Sequence, residues 1–222
     1  MPQPILYSLQ NCPYAMRARM GLLLAKQAVM LRPIVLKNKP KDMLMASPKG
    51  TVPVLVLDQN NVIDESLDIM LWALHKNDPN NLLYNHKPSF LPIMMKIIDE
   101  HDNKFTKLLS QYKQAKRYHK ASESDDRLQC EQFIISLEQR LNEHPFIMGI
   151  EPSLVDYTVL PFIRQFAKVD RKWYLQAPYP KLQQWLNNHL QSRIFSKAMA
   201  KHPLWLETNK DILFGGESIS IT

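Results

Sequence analysis

Over the first third of the chain, short apolar runs alternate with amphipathic ones; beyond it, apolar positions recur almost everywhere at helical spacing. Residues 4–9 read as a strand, and from Pro13 the positions Met16, Met20, Leu23 and Leu24 describe a helix. A second strand is expected over 31–36 and a short helix around 41–45, followed by the turn Ser47-Pro48-Lys49-Gly50. Residues 52–57 and 61–63, joined by the polar Asp58-Gln59-Asn60, predict a hairpin leading into a helix over 66–75. The order β-α-β-α-β-β-α implies a small mixed sheet with helices on its faces. Asn77-Asp78-Pro79-Asn80-Asn81 is rich in turn formers, so the reading divides a domain over 1–77 from an all-helical one over 88–222 by a linker over 78–87. Helices are expected in the second at 88–118, 124–142, 153–168 and 180–200, and Gly215-Gly216-Glu217-Ser218 predicts a mobile C-terminus.

Composition narrows the class of protein without choosing its chemistry. The chain has 222 residues, of which 45% are hydrophobic and 22% charged, which is ordinary for a globular protein with a sizeable core. Two cysteines do not make a disulfide framework. The first ten residues lack a basic stretch followed by an apolar one, and Lys26 and Arg32 interrupt the most apolar region. Neither a signal peptide nor a membrane span is therefore expected, and a reducing cytoplasm is the default location. The net charge of +7 is densest over 113–120, at the end of a helical stretch, where the macrodipole favours cations. No nucleic-acid motif accompanies that run, so it reads as a solvated helix end and not as a nucleic-acid surface.

Candidate chemistry begins at Gln10-Asn11-Cys12-Pro13-Tyr14-Ala15, where Cys12 falls at the cap of the first helix. Pro13 suits the first helical position because its missing N–H costs nothing there, and the free N–H groups and macrodipole favour an anion at the cap. That anion can be a thiolate, since a free cysteine near ~8.5 falls to roughly 3.5–7.5 at a helix N-terminus or beside cations. Ala15 stands where a dithiol centre would carry its second cysteine, so no resolving thiol is near in sequence. Cys130 lies mid-helix on the apolar pattern and reads as a small buried hydrophobe.

Further segments accompany the cysteine. Thr51-Val52-Pro53-Val54-Leu55 puts proline at the head of a strong strand, which implies either an edge strand or a cis bond leaving the Val52 backbone free to pair with an extended peptide. Glu65 and Ser66 precede the next helix: Ser66 reads as a helix cap or, with nearby N–H groups, as a carboxylate site, while Glu65 suits an ammonium. Together they match an α-amino acid head group. Ser153 and Asp156 form a capping box and read as a folding element. Tyr7 alternates with Ile5 and Leu9 as a packed strand residue, so neither it nor Ser8 is assigned a catalytic role.

In this order Cys12-Pro13-Tyr14-Ala15, Leu36-Lys37-Asn38-Lys39-Pro40, Val52-Pro53-Val54-Leu55, Glu65-Ser66 and Ser153-Leu154-Val155-Asp156-Tyr157 resemble the glutathione transferase family, in particular its cysteine-type omega class. The resemblance covers nearly the whole chain. It implies an α/β thioredoxin-like N-terminal domain and an all-α C-terminal domain, with the substrate cleft between them. It also implies glutathione as co-substrate, no metal, no nucleic-acid or membrane partner, and a homodimer. Carried over, Cys12 is the nucleophile, Lys39 meets the glycine carboxylate, Val52 pairs through its backbone with the cysteinyl unit, and Glu65 and Ser66 hold the γ-glutamyl end. The activity implied is a monothiol thiol transferase or reductase acting on mixed disulfides, glutathionylated thiols or dehydroascorbate. Conjugation of glutathione to electrophiles, and a non-catalytic binding role, are the alternatives. Tyr14 stands where omega members often have Phe, and Tyr112, Tyr118, Trp173 and Trp205 are considered as second-substrate walls or, by their helical spacing, as core.

Overall fold

The computed structural model describes residues 3–216. Its contacts gather the chain up to Asn80 together with the residues from Gln191 onward as one unit, and Asn81–Leu190 as another.

The first unit is built on a mixed sheet. Strands β1 (Ile5–Ser8) and β2 (Val29–Pro33) run parallel, joined through helix α1 (Pro13–Leu24). Helix α2 (Lys41–Ala46) leads to β3 (Val54–Val56), which is antiparallel to β1 and forms a hairpin with β4 (Val62–Ile63) ahead of α3 (Ser66–Lys76). The second strand begins two residues and ends three residues earlier than the apolar run suggests: Pro33 ends it, and residues 35–38 form a tight bridge that leaves Leu36 exposed. α1 is buried nearly all round, with α3 and the segment after Ser192 packed on it. Their close approach needs Gly21, where a Cβ would lie 2.8 Å from the Cα of Met70.

The second unit holds α4 (Phe90–Glu100), a π-helical turn (His101–Phe105), α5 (Thr106–Arg117), α6 (Glu123–Glu143), α7 (Leu154–Val169), α8 (Arg171–Gln176) and α9 (Pro180–Gln191). The helix expected over 88–118 is thus interrupted at His101, whose buried ring, like that of Phe105, packs on Phe133. At the head of α7 the capping box is complete. The Asp156 carboxylate accepts from the backbone N–H groups of Ser153 and Ile147, from the Ser153 hydroxyl and from the Trp185 indole, at 2.7–3.0 Å.

The expectation of helix throughout 88–222 is corrected at its end. The stretch over 180–200 breaks at Ser192, whose hydroxyl accepts the N–H of Phe195 and caps α10 (Arg193–Ala198). After α11 (Trp205–Thr208), strand β5 (Ile212–Phe214) pairs antiparallel with β2, giving the sheet order β4-β3-β1-β2-β5. α10 packs on α1, so this segment belongs with the sheet. A three-residue strand closing a sheet carries too little periodicity to be read from sequence. The expected mobile C-terminus falls partly outside the described residues, at Glu217 and Ser218. Gly215 and Gly216 both have positive φ; Gly215 is half-buried, and a Cβ on it would meet the Gln27 carbonyl oxygen at 2.1 Å, while Gly216 is exposed.

Candidate active site

Sheet register gathers at one end what the sequence scatters. β1 and β2 finish level, Ser8 beside Pro33, and antiparallel β3 starts there, with Val54 opposite Tyr7. β4 returns to the same end, with Ile63 opposite Leu55. The segments carrying Cys12, Lys39, Val52, Glu65 and Ser66 all leave or enter the sheet at that end.

Cys12 is the N-cap of α1, in extended conformation (φ −75°, ψ 125°), with Pro13 following and no side-chain cap bond. It is half-buried against the edge of the apolar cluster of Tyr7, Ile34, Met43, Val52 and Val54, its Sγ 3.9 Å from the Val52 carbonyl oxygen. The Val52–Pro53 peptide is cis, and both residues precede β3 without taking a rung of the ladder. That resolves the proline's place in the strand pattern: β3 is internal, and Pro53 stands just outside it.

Lys39 is half-buried ahead of α2, its Nζ 3.5 Å from where a Cβ on Gly50 would lie. Glu65, not Ser66, is the N-cap of α3. Ser66 is buried in the first turn and its hydroxyl accepts from Arg17 Nη1 at 3.4 Å. The Glu65 carboxylate is exposed and paired with Lys49, which also reaches Asp64 at 3.4 Å. Ser47 and Lys49 hold Asp64 below the usual carboxylate range, and the Glu65 contact raises Lys49.

Arg19 is the residue that sequence reasoning missed. It is 4% exposed, and its guanidinium donates to the Ser8 hydroxyl and to the carbonyls of Leu9, Gln10 and Ala198. The Leu9 carbonyl also receives the Cys12 N–H at 3.3 Å, so one buried cation sets the turn that presents the thiol. Burial lowers the Arg19 pKa to about 10, with Cys12 acting in the opposite direction, so it stays protonated at neutral pH. The signal was available: a charge within an apolar helix needs internal acceptors.

This combination of a capping thiol, a cis-proline turn and a serine at the next helix start accompanies two matches to family models. Residues 6–81 match "Glutathione S-transferase, N-terminal domain" and residues 125–188 match "Glutathione S-transferase, C-terminal domain". The chain belongs to the glutathione S-transferase family. Among its relatives are glutathione S-transferase omega-1 of Mus musculus, 29% identical over 81% of this chain and 73% of the relative, and of Rattus norvegicus, 27% identical over the same shares. Solved structures share the fold: a glutathione transferase family member of Pseudomonas fluorescens with two glutathione bound (TM-score 0.77, 15% identity, 89% of this chain and 92% of that one), and poplar glutathione transferase F1 (TM-score 0.75, 18%, 90% and 97%). The thioredoxin-like sheet unit and the helical unit are that fold.

Within this framework the remaining residues find structural places. The Tyr7 hydroxyl accepts from Arg32 Nη1 at 2.9 Å, and burial raises its pKa. Ser8 is held by Arg19. Trp205 packs under the Arg32 guanidinium at 4.4 Å, Tyr112 is core, Trp173 stacks on Arg127 at 4.5 Å, and Tyr118 is exposed. Cys130 is fully buried and its thiol is pushed up to about 12 by burial. In the basic run, Lys116 is paired with Glu123 and Asp170. Among the described residues no group of His, Cys, Asp and Glu is arranged to hold a metal, and no helix is long and apolar enough to cross a membrane.

Proposed function

We propose that this glutathione S-transferase family member is a monothiol thiol transferase with Cys12 as nucleophile and glutathione as co-substrate. The observation that carries the reading is Cys12 as an extended helix cap with no side-chain capping bond, followed by Pro13 and with its Sγ beside the Val52 carbonyl. An anion there gains from the α1 N–H groups and macrodipole and from the charge of buried Arg19. The Cys12 thiolate attacks the glutathione-side sulfur of a mixed disulfide; the S–S bond breaks, and the substrate leaves as a thiolate that takes a proton from solvent. A glutathione thiolate then attacks the glutathione sulfur of the Cys12 adduct, releasing oxidised glutathione and restoring the Cys12 thiolate. No second cysteine takes part, because Ala15 occupies the resolving position and Cys130 is fully buried in the other unit.

A tripeptide with two carboxylates and one ammonium fits the surroundings. Lys39 meets the glycine carboxylate, and the Val52 backbone takes the cysteinyl amide as an added strand. Ser66 and the first N–H groups of α3 receive the γ-glutamyl carboxylate beside Arg17, and Glu65 receives the ammonium, exchanging its present contact with Lys49.

Incubation with oxidised glutathione followed by intact mass and peptide mapping tests this. One reducible glutathione adduct at Cys12, lost in Cys12→Ser, is expected; an adduct only at Cys130, or none, overturns it. Initial rates should be higher with hydroxyethyl disulfide than with chlorodinitrobenzene, and the reverse order would identify a conjugating enzyme. A homodimer is expected by light scattering, at about twice the 25.9 kDa of the chain.

A further inference from the structure

Beside the candidate glutathione site the chain leaves large apolar side chains in water. Helix α2 has six residues and buries one of them, Met43, which belongs to the apolar cluster that Cys12 borders. Lys41, Leu44 and Met45 are spaced three and four residues apart and share the outer face of that helix, with Leu44 40% exposed and Met45 81%. Just ahead of it, the Val35–Asn38 bridge holds a tight turn with Leu36 and Lys37 exposed at its tip. The Leu44 side chain and Lys39 Nζ both lie 3.5 Å from where a Cβ on Gly50 would stand, so the exposed face adjoins the cation assigned to the glycine carboxylate.

Charge and shape select the complement of this rim. Lys37, Lys39 and Lys41 stand close together in the chain against a single acid, Asp42, so the rim attracts negative charge and repels positive. Exposed apolar residues grouped among polar ones mark an interaction surface, and Met45, unbranched and adaptable, suits partners of more than one shape. The mixed disulfide of glutathione with a small thiol leaves such a rim uncovered. A disulfide to a protein cysteine brings the flanking residues of that protein onto it.

We infer that Leu36, Lys37, Lys41, Leu44 and Met45 form a docking surface for protein substrates, namely acidic and apolar segments that flank a glutathionylated cysteine. The inference rests on the Cys12 reading and adds no chemical step to it. Cys12 forms the bond to the glutathione sulfur, the mixed disulfide breaks, and the protein cysteine leaves as a thiolate that takes a proton from solvent. Recognition by exposed charge acts mainly on encounter and is screened by salt.

The substrates for the test are short peptides with one glutathionylated cysteine flanked by glutamate and leucine, and counterparts with lysine in place of glutamate or serine in place of leucine. The mixed disulfide of glutathione and mercaptoethanol is the small control. At low salt, kcat/KM should be at least ten-fold higher for the glutamate-leucine peptide than for its lysine counterpart, and the ratio should shrink as salt is raised. Lys37→Ser/Lys41→Ser should abolish the charge preference, and Leu36→Ser/Met45→Ser should lower kcat/KM for the leucine peptide several-fold relative to the serine one. Both variants should turn over the small disulfide within two-fold of the unmodified chain. Equal rates with peptides of either charge, or a fall for the small disulfide matching that for the peptide, would overturn the surface. So would a change of oligomeric state in either variant by light scattering, which would make this face a contact between copies of the chain. Fluorescence anisotropy with Cys12→Ser and peptides that carry glutathione through a non-reducible thioether should give the same order of affinities, and equal affinities would overturn the surface without any turnover. Absence of turnover with every disulfide would overturn the Cys12 chemistry alone, so the two proposals fail separately.

Discussion

Two helix starts in this molecule solve the same problem in opposite ways. At α7 the free N–H groups are closed internally: Ser153 and Asp156 supply the acceptors, and Asp156 is itself saturated by Ile147 and Trp185. At α1 the cap is Cys12, which supplies no side-chain bond, so the start of the helix keeps its capacity for an anion. Each carries a buried charged group that organises it. Asp156 collects donors from its own surroundings, and Arg19 collects acceptors from the turn that precedes the thiol. The comparison separates a start closed by its own side chains from one left uncapped, and the cysteines follow it: Cys12 half-buried at the uncapped start, Cys130 fully buried in the unit whose helix start is closed.

The sharpest way to break this comparison is alkylation. Iodoacetamide at pH 7.5 should modify Cys12 at least about a hundred-fold faster than Cys130, because only the thiolate reacts and burial holds the Cys130 thiol near 12. Comparable rates by peptide mapping would erase the distinction. Next in size, Asp156→Ala strands buried donors from Ser153, Ile147 and Trp185, and should lower unfolding stability in urea by about 3 kcal/mol or more. A loss below about 1 kcal/mol would make the box an ordinary exposed cap.

Arg19→Gln should cost about 2 kcal/mol, since it leaves the Leu9, Gln10 and Ala198 carbonyls short of a charged donor. It should also slow Cys12 alkylation, because the turn that presents the thiol loses its buried cation. The smallest effect is pH dependence. His189, beside Asp156, and His202, near Arg19, both have pKa values lowered chiefly by burial. A depressed folded pKa means that their contribution is complete above the unfolded value of about 6.5 and is lost as pH falls through the folded values. Thermal midpoints should therefore decline between pH 7 and pH 5, with His202→Gln removing part of the slope. A flat profile would show that neither histidine needs to stay neutral.

Local patterns carried most of this architecture. Helical spacing found α1, α3, α6 and α7 within a residue or two, and the Ser153-Asp156 spacing named its own box, because caps and periodicities are properties of neighbouring residues. The pairing of β5 with β2 and the break at Ser192 escaped, since a short strand is defined by the partner it meets and a helix of two pieces keeps one apolar rhythm. Arg19 escaped for a related reason: its acceptors include Ala198, far along the chain.

The sequence by itself determined the groups on offer: a lone thiol before proline at a helix start, Ala15 in place of a second thiol, and Lys39, Val52-Pro53 and Glu65-Ser66 in a recognisable order. Only the tertiary structure decided how those elements are deployed. Parallel β1 and β2 end where antiparallel β3 begins, which brings the candidate segments to one end of the sheet, and a buried guanidinium ties the Cys12 turn to α10. Reactivity depends on charges and hydrogen bonds within a few ångströms, and those distances arise from strand register and helix packing, to which spacing along the chain is blind.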